Sequence, residues 1–156
     1  MKTQLPPALI ILAVAGAQPC IAAGDALCPL LRTFVQSAKP DETKHVVLRT
    51  SWGQGFHGME EGTLAAKSCE RGDDTPAIKL CEYWMENSSI EFAGVNAVRA
   101  IECLSTGTKF ASPASVEIIT IHFSVGSPDR GSLVEISLQK DVDVGGMALR
   151  IEASGY

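Results

Sequence analysis

Residues 69–103 read CERGDDTPAIKLCEYWMENSSIEFAGVNAVRAIEC, a stretch that holds three of the chain's five cysteines and two consecutive helix patterns. The first pattern opens at Asp74-Thr75-Pro76. Thr75 can accept from the orphan backbone donors of a helix start, and proline at the first helical position loses nothing by lacking an N–H. Ala77, Leu80, Cys81, Trp84 and Met85 then recur on one helical face, with Lys79, Glu82 and Glu86 on the other. Cys81 therefore points inward. The second pattern opens at Ser88-Ser89-Ile90-Glu91, which reads as a capping box in which Ser88 and Glu91 satisfy each other's backbone donors. Its buried stripe is Ile90, Ala93, Gly94, Ala97, Ile101 and Leu104. Phe92, Asn96, Arg99 and Cys103 lie round the opposite side, so this helix is expected to be covered on two sides.

The cysteines make sense only beside the N-terminus. Lys2, the apolar run Ala8 to Ala17, the break at Pro19 and the small residues Ile21-Ala22-Ala23 form a secretory signal, residues 1–23, with cleavage after Ala23. The ten residues of that run are too few to span a bilayer as a helix. Removal leaves residues 24–156 as one α+β domain with four cysteines, an even count that in an exported chain reads as two disulfides. The expected pairs are Cys69–Cys81, tying the connection before a helix to that helix's buried face, and Cys28–Cys103, tying the N-terminal helix to the two-sided one. Each stabilises by about 2–4 kcal/mol, mainly by restricting the unfolded chain. Closely spaced His/Cys pairs of the kind that hold zinc are missing from the sequence. The localisation implied is periplasmic or secreted.

On either side of the opening stretch the periodicity is equally readable. Leu27, Leu30, Leu31, Phe34, Val35 and Ala38 predict a short helix from about Cys28, with Pro29 tolerable in its opening turn. His45 to Trp52 alternates as a strand, with Val46, Leu48, Thr50 and Trp52 on one face. Four glycines follow within the ten residues Gly53 to Gly62, then a weaker strand from Thr63 to Ser68. Beyond the helices, Val116–Val125, Leu133–Gln139 and Met147–Ala153 alternate as a three-strand meander, its turns marked by Pro128-Asp129-Arg130-Gly131 and by Asp141 to Gly146. The order α-β-β-α-α-β-β-β predicts an α+β fold: an antiparallel sheet of four to five strands with about three helices packed on one face.

Chemistry is harder to find. The net charge is −5, becoming −6 once Lys2 leaves with the signal, and no Lys/Arg cluster is present. Nucleic acid, anionic lipid and stable membrane insertion after cleavage are therefore not expected. No cofactor is expected either. The Gly-rich tip lacks both the dinucleotide fingerprint and the Lys-Ser/Thr ending of a phosphate loop. Its Trp52, Phe56, His57 and Met59 are the expected contact residues, with Trp52 also supporting the fold from the core face of its strand. Asp141-x-Asp143-x-Gly145-Gly146 with Glu152 matches part of a calcium-loop spacing, but the glutamate falls on a strand pattern, which makes this an acidic hairpin turn. His57 beside Glu60 and Glu61, and His122 beside Thr120 and Ser124, are the imidazoles a hydrolase would have to use with a carboxylate.

The leading expectation is a small exported, disulfide-braced binding protein, inhibitor- or immunity-like, whose partner is an envelope or secreted protein. The alternatives are a periplasmic hydrolase using His57 or His122 with a carboxylate, and a small-ligand carrier. The intact mass of the exported protein is expected to begin at Gly24 and to show no alkylatable thiol before reduction; a longer chain or a free cysteine would refute the processing scheme.

Overall fold

The structure, a computed structural model, describes residues 25–53, 57, 58, 60, 62–111, 116–143 and 145–156; the expected signal segment, residues 1–23, lies outside them. The elements follow as α1 (Leu27–Gln36), β1 (Thr43–Trp52), β2 (Ala65–Arg71), α2 (Thr75–Asn87), α3 (Ala93–Leu104), β3 (Ile119–Ser127), β4 (Arg130–Lys140) and β5 (Met147–Gly155). The strands form one antiparallel sheet ordered β2-β1-β5-β4-β3, and the three helices pack on one of its faces. This is the expected α+β architecture and order. Among the described residues no helix is long and apolar enough to cross a membrane.

Period-two alternation decides which residues meet across the sheet. Leu48, Leu149, Leu138 and Ile119 stand opposite one another in one row, and Val46, Ile151, Ile136 and Ile121 in the next. On these rows sit Leu31 and Phe34 of α1, Leu80 and Trp84 of α2, and Ile101 and Leu104 of α3, all buried. Burying a side chain of this size is worth about 1.5–3 kcal/mol, so the two rows supply much of the driving force. Coverage fades towards one edge: the inner-facing residues of β4 and β5 are nearly all buried, whereas Ile119, Ile121, Phe123 and Val125 of β3 each stay partly exposed.

The helix starts differ from the sequence reading. Asp74, not Thr75, caps α2, accepting the Ala77 N–H at 3.3 Å. No capping box forms at Ser88–Glu91, because Ser88 closes α2 and turns its hydroxyl back to the Trp84 carbonyl at 2.6 Å. Helix α3 begins later, at Ala93, and the connection is held instead by Asn96, whose buried amide bonds both the Ser89 N–H (2.9 Å) and the Ser89 carbonyl (2.8 Å). Asn96 and Cys103 are thus buried on the second side of α3, as expected, while Phe92 is exposed rather than covered. Strand β2 also starts later than expected, which places Cys69 inside the strand and not in the connection that follows.

Two disulfides form with the expected partners, Cys28–Cys103 joining α1 to α3 and Cys69–Cys81 joining β2 to α2. One glycine also sets a close approach. A Cβ at Gly94 would lie 2.0 Å from the Val116 carbonyl oxygen, so only glycine lets the chain after the helices cross the first turn of α3. Among the described residues, the Trp84 indole N–H is the one buried side-chain donor or acceptor without a partner. The bridges should differ in weight: loops of 75 and 12 residues correspond to about 4.5 and 3 kcal/mol of chain-entropy stabilisation. Denaturant unfolding of the paired substitutions Cys28→Ala/Cys103→Ala and Cys69→Ala/Cys81→Ala should show the first to be the costlier, and the reverse order would contradict this assignment.

Candidate functional site

The strands of the sheet do not end level, and the site lies where they run out. Pairing of β1 with β5 stops at Thr50 opposite Met147, so Trp52, two residues further, has only Ala65 of β2 beside it. The alternation that placed Trp52 on the core face is real, but the helix layer ends before it, and Trp52 remains 59% exposed. Its expected support of the core is corrected accordingly.

Above this ragged end the α2–α3 connection, the first turn of α3 and the Val116–Ile118 segment leave an apolar groove of about 660 Å³. Val95, Val116, Ile118 and Met147 line it, with Phe92 at its rim and Glu91, Glu117 and Lys140 as its charges. An adjoining hollow of about 370 Å³ shares Glu91, Ala93, Lys140 and Met147 with it and extends to Trp52 and Ile90. Phe92 is 60% exposed, Val95 41% and Ile118 70%. Together with Trp52 these are large apolar side chains kept in water around one concavity, an arrangement that marks a binding surface.

The expected contact residues divide. Trp52 lines the hollow that adjoins the groove. His57 is exposed and meets the backbone carbonyl of Asp143 through Nδ1 at 2.7 Å, which joins the Gly-rich tip to the β4–β5 turn. Phe56 and Met59 lie outside the described residues, as does Glu61. Phe92, Val95 and Ile118 were missed because helical and strand periodicity account for the buried stripe; a residue off the stripe reads as solvated unless its size is weighed.

The opposite, helix-free face of the sheet carries the charges. Register aligns His45, Glu152, Glu135 and His122 in one row across four strands. His122 Nδ1 lies 3.6 Å from Glu135, Arg150 pairs with Glu152 at 2.7 Å, and Arg49 bonds both Glu70 and Asp141 at 2.7 Å. The hydrogen bond from Arg49, assisted by its charge and those of His45 and Arg150, holds Glu70 below the ordinary carboxylate range against the effect of partial burial. Of these, the more solvent-facing pairs, His122–Glu135 and Arg150–Glu152, contribute about 0–1 kcal/mol each. The acidic turn is a hairpin between β4 and β5, with Asp141 engaged by Arg49 and Glu152 by Arg150. Among the described residues no group of three or more His, Cys, Asp or Glu could hold a metal ion. Of the two expected imidazoles, His122 has a carboxylate beside it, Glu135, and no described hydroxyl hydrogen-bonds to its ring.

A third polar cluster fastens the start of α1. Arg99 Nη2 donates to Asp25 Oδ2 at 2.7 Å and to the Tyr83 hydroxyl at 3.1 Å, and Tyr83 in turn donates to Asp25. Partial burial raises the Asp25 pKa, but the hydrogen bonds from Tyr83, Arg99 and the Leu27 N–H outweigh it and bring the group from 3.8 down to about 2. A depressed carboxylate pKa stabilises the fold above the unfolded value and loses that contribution as pH falls through the folded one. Melting curves of wild type and Asp25→Asn should therefore differ at pH values above 3.8 and converge as pH falls to about 2. A gap that does not change across this window would refute the linkage.

Comparison with known proteins returns no match: no family model, no curated protein and no solved structure resembles the chain at a significant level.

Proposed function

We propose that the chain is an exported, non-enzymatic binding protein, inhibitor- or immunity-like, that works in an oxidising compartment and takes a protein partner in the apolar groove. The observation that carries this reading is the set of Trp52, Phe92, Val95 and Ile118 standing in solvent around the groove and the hollow that adjoins it. Small-molecule sites enclose most of their ligand. Here the largest apolar side chains project outward, as anchors do at protein interfaces. Glu91 and Glu117 outnumber Lys140 along the groove, and the chain carries net negative charge. The partner segment that fits is apolar at its centre with lysine or arginine on its flanks, so that rim charges favour encounter and the apolar anchors supply affinity. The two disulfides support the compartment, since such bonds persist where thiols are not kept reduced.

The test is affinity capture from envelope extract with wild type, Trp52→Ala, Phe92→Asp and Ile118→Asp, beside a melting curve for each. These side chains are exposed, so stability should change by no more than about 0.5 kcal/mol, while a partner held by wild type is lost from the variants. An identical capture profile across all four proteins would sink the groove as the contact surface. His122→Ala should leave capture unchanged. A loss there would move attention to the charged sheet face and to the hydrolase alternative.

A further inference from the structure

The two edges of the sheet are built differently. On β2, Lys67, Glu70 and Arg71 place three charges in seven residues, and Cys69 is bonded to α2. Lys67 Nζ also reaches over to the Trp84 and Ser88 carbonyls at 3.2 and 3.3 Å. Charges of this kind blunt an edge against further pairing. Edge β3, ITIHFSVGS, has none of these devices: it contains no Lys, Arg, Asp, Glu or Pro, and its pairing with β4 runs one residue to one without a bulge from Ile119 to Ser127. Its outer row of backbone N–H and C=O groups meets no other strand among the described residues.

The side chains of β3 are also self-complementary. Ile119, Ile121, Phe123 and Val125 point to the helix side, each partly exposed, and Thr120, His122 and Ser124 point to the other. The polarity pattern reads the same in both directions from His122. Laid antiparallel against a second copy about a twofold axis through His122, Ile121 meets Phe123, Ile119 meets Val125, and Thr120 meets Ser124. Aromatic–β-branched and β-branched–β-branched neighbours are favourable cross-strand pairs, and no like-charged pair is created by any Asp, Glu, Lys or Arg of the strand.

We infer that two copies of this chain associate through β3, edge to edge, to make one continuous ten-stranded antiparallel sheet. The partly exposed apolar row of each copy is then covered by the same row of the other, and the open backbone groups are paired. This association uses a different surface from the groove and does not depend on its occupant.

Sedimentation and native mass spectrometry of the disulfide-intact exported protein provide the test, with two charge variants that keep the fold because Thr120 and Ser124 are exposed. Thr120→Glu/Ser124→Glu and Thr120→Lys/Ser124→Lys each set like charges opposite one another twice across the axis. Each alone should weaken self-association about tenfold or more. An equimolar mixture should restore it, as a heterodimer of intermediate mass. Wild type that stays monomeric from micromolar to millimolar concentration overturns the inference and leaves the edge to a strand of another protein. A dimer indifferent to both variants, or a mixture that fails to reassociate, overturns it as well.

Discussion

Everything in this fold passes through the last strand. β5 pairs with β1 over eight residues and with β4 over nine, and among the described strands it is the one that pairs with both the β1–β2 hairpin and the β3–β4 hairpin. Isolated two-stranded hairpins are marginal in water, so neither half of the sheet has a stable existence until residues 147–155 lie between them. The apolar rows that seat the helices cross this same strand. Loop closure must therefore precede most of the burial, which makes the contact pattern non-local and folding correspondingly slow. The Cys28–Cys103 bridge offsets part of that entropy by tying α1 to α3 through 75 residues of chain.

The groove is a by-product of the same arrangement. A strand that enters at Met147 cannot cover β1 beyond Thr50, and a helix that begins at Ala93 cannot roof the space in front of it. Two terminations that miss each other leave a concavity, and the side chains that would have filled it stay on its rim. The helix-free face follows different rules: there, alternation puts polar residues in register, and Arg49 and Arg150 hold the carboxylates of Glu70, Asp141 and Glu152 in surface ion pairs. One face is thus closed by burial and the other by charge, and the apolar surface left over lies at the end of the sheet.

Architecture was legible because it rests on short-range signals. Periodicity located the eight elements, and cysteine parity in a chain expected to be exported, together with which cysteines face inward, led to both bridges. The errors come from places where two local signals compete. Ser88-Ser89-Ile90-Glu91 has the composition of a capping box, yet the serines serve the end of the preceding helix and Asn96 reaches back to organise the turn, a contact seven residues long that spacing rules do not anticipate. Asp74 won the cap of α2 from Thr75 by a single position. Trp52 had the right face and the wrong surroundings: alternation tells which side of a sheet a residue takes but not how far the covering layer extends. The rest of the site was illegible for a related reason, since Val95 and Ile118 are brought beside Lys140 and Met147 only by the way the chain passes over α3.

That passage depends on the smallest side chain available. Where Val116 crosses Gly94 the gap has no room for one methyl group, and the segment pressed against the helix there continues directly into the wall that carries Ile118. The width of the groove is therefore written at a lining position that has no side chain of its own to offer. An alanine would act as a spacer, levering that wall away from Phe92 and Val95 while leaving every other lining residue chemically unchanged. Shape and chemistry are encoded at separate places in the chain, so the groove can be resized without being repainted.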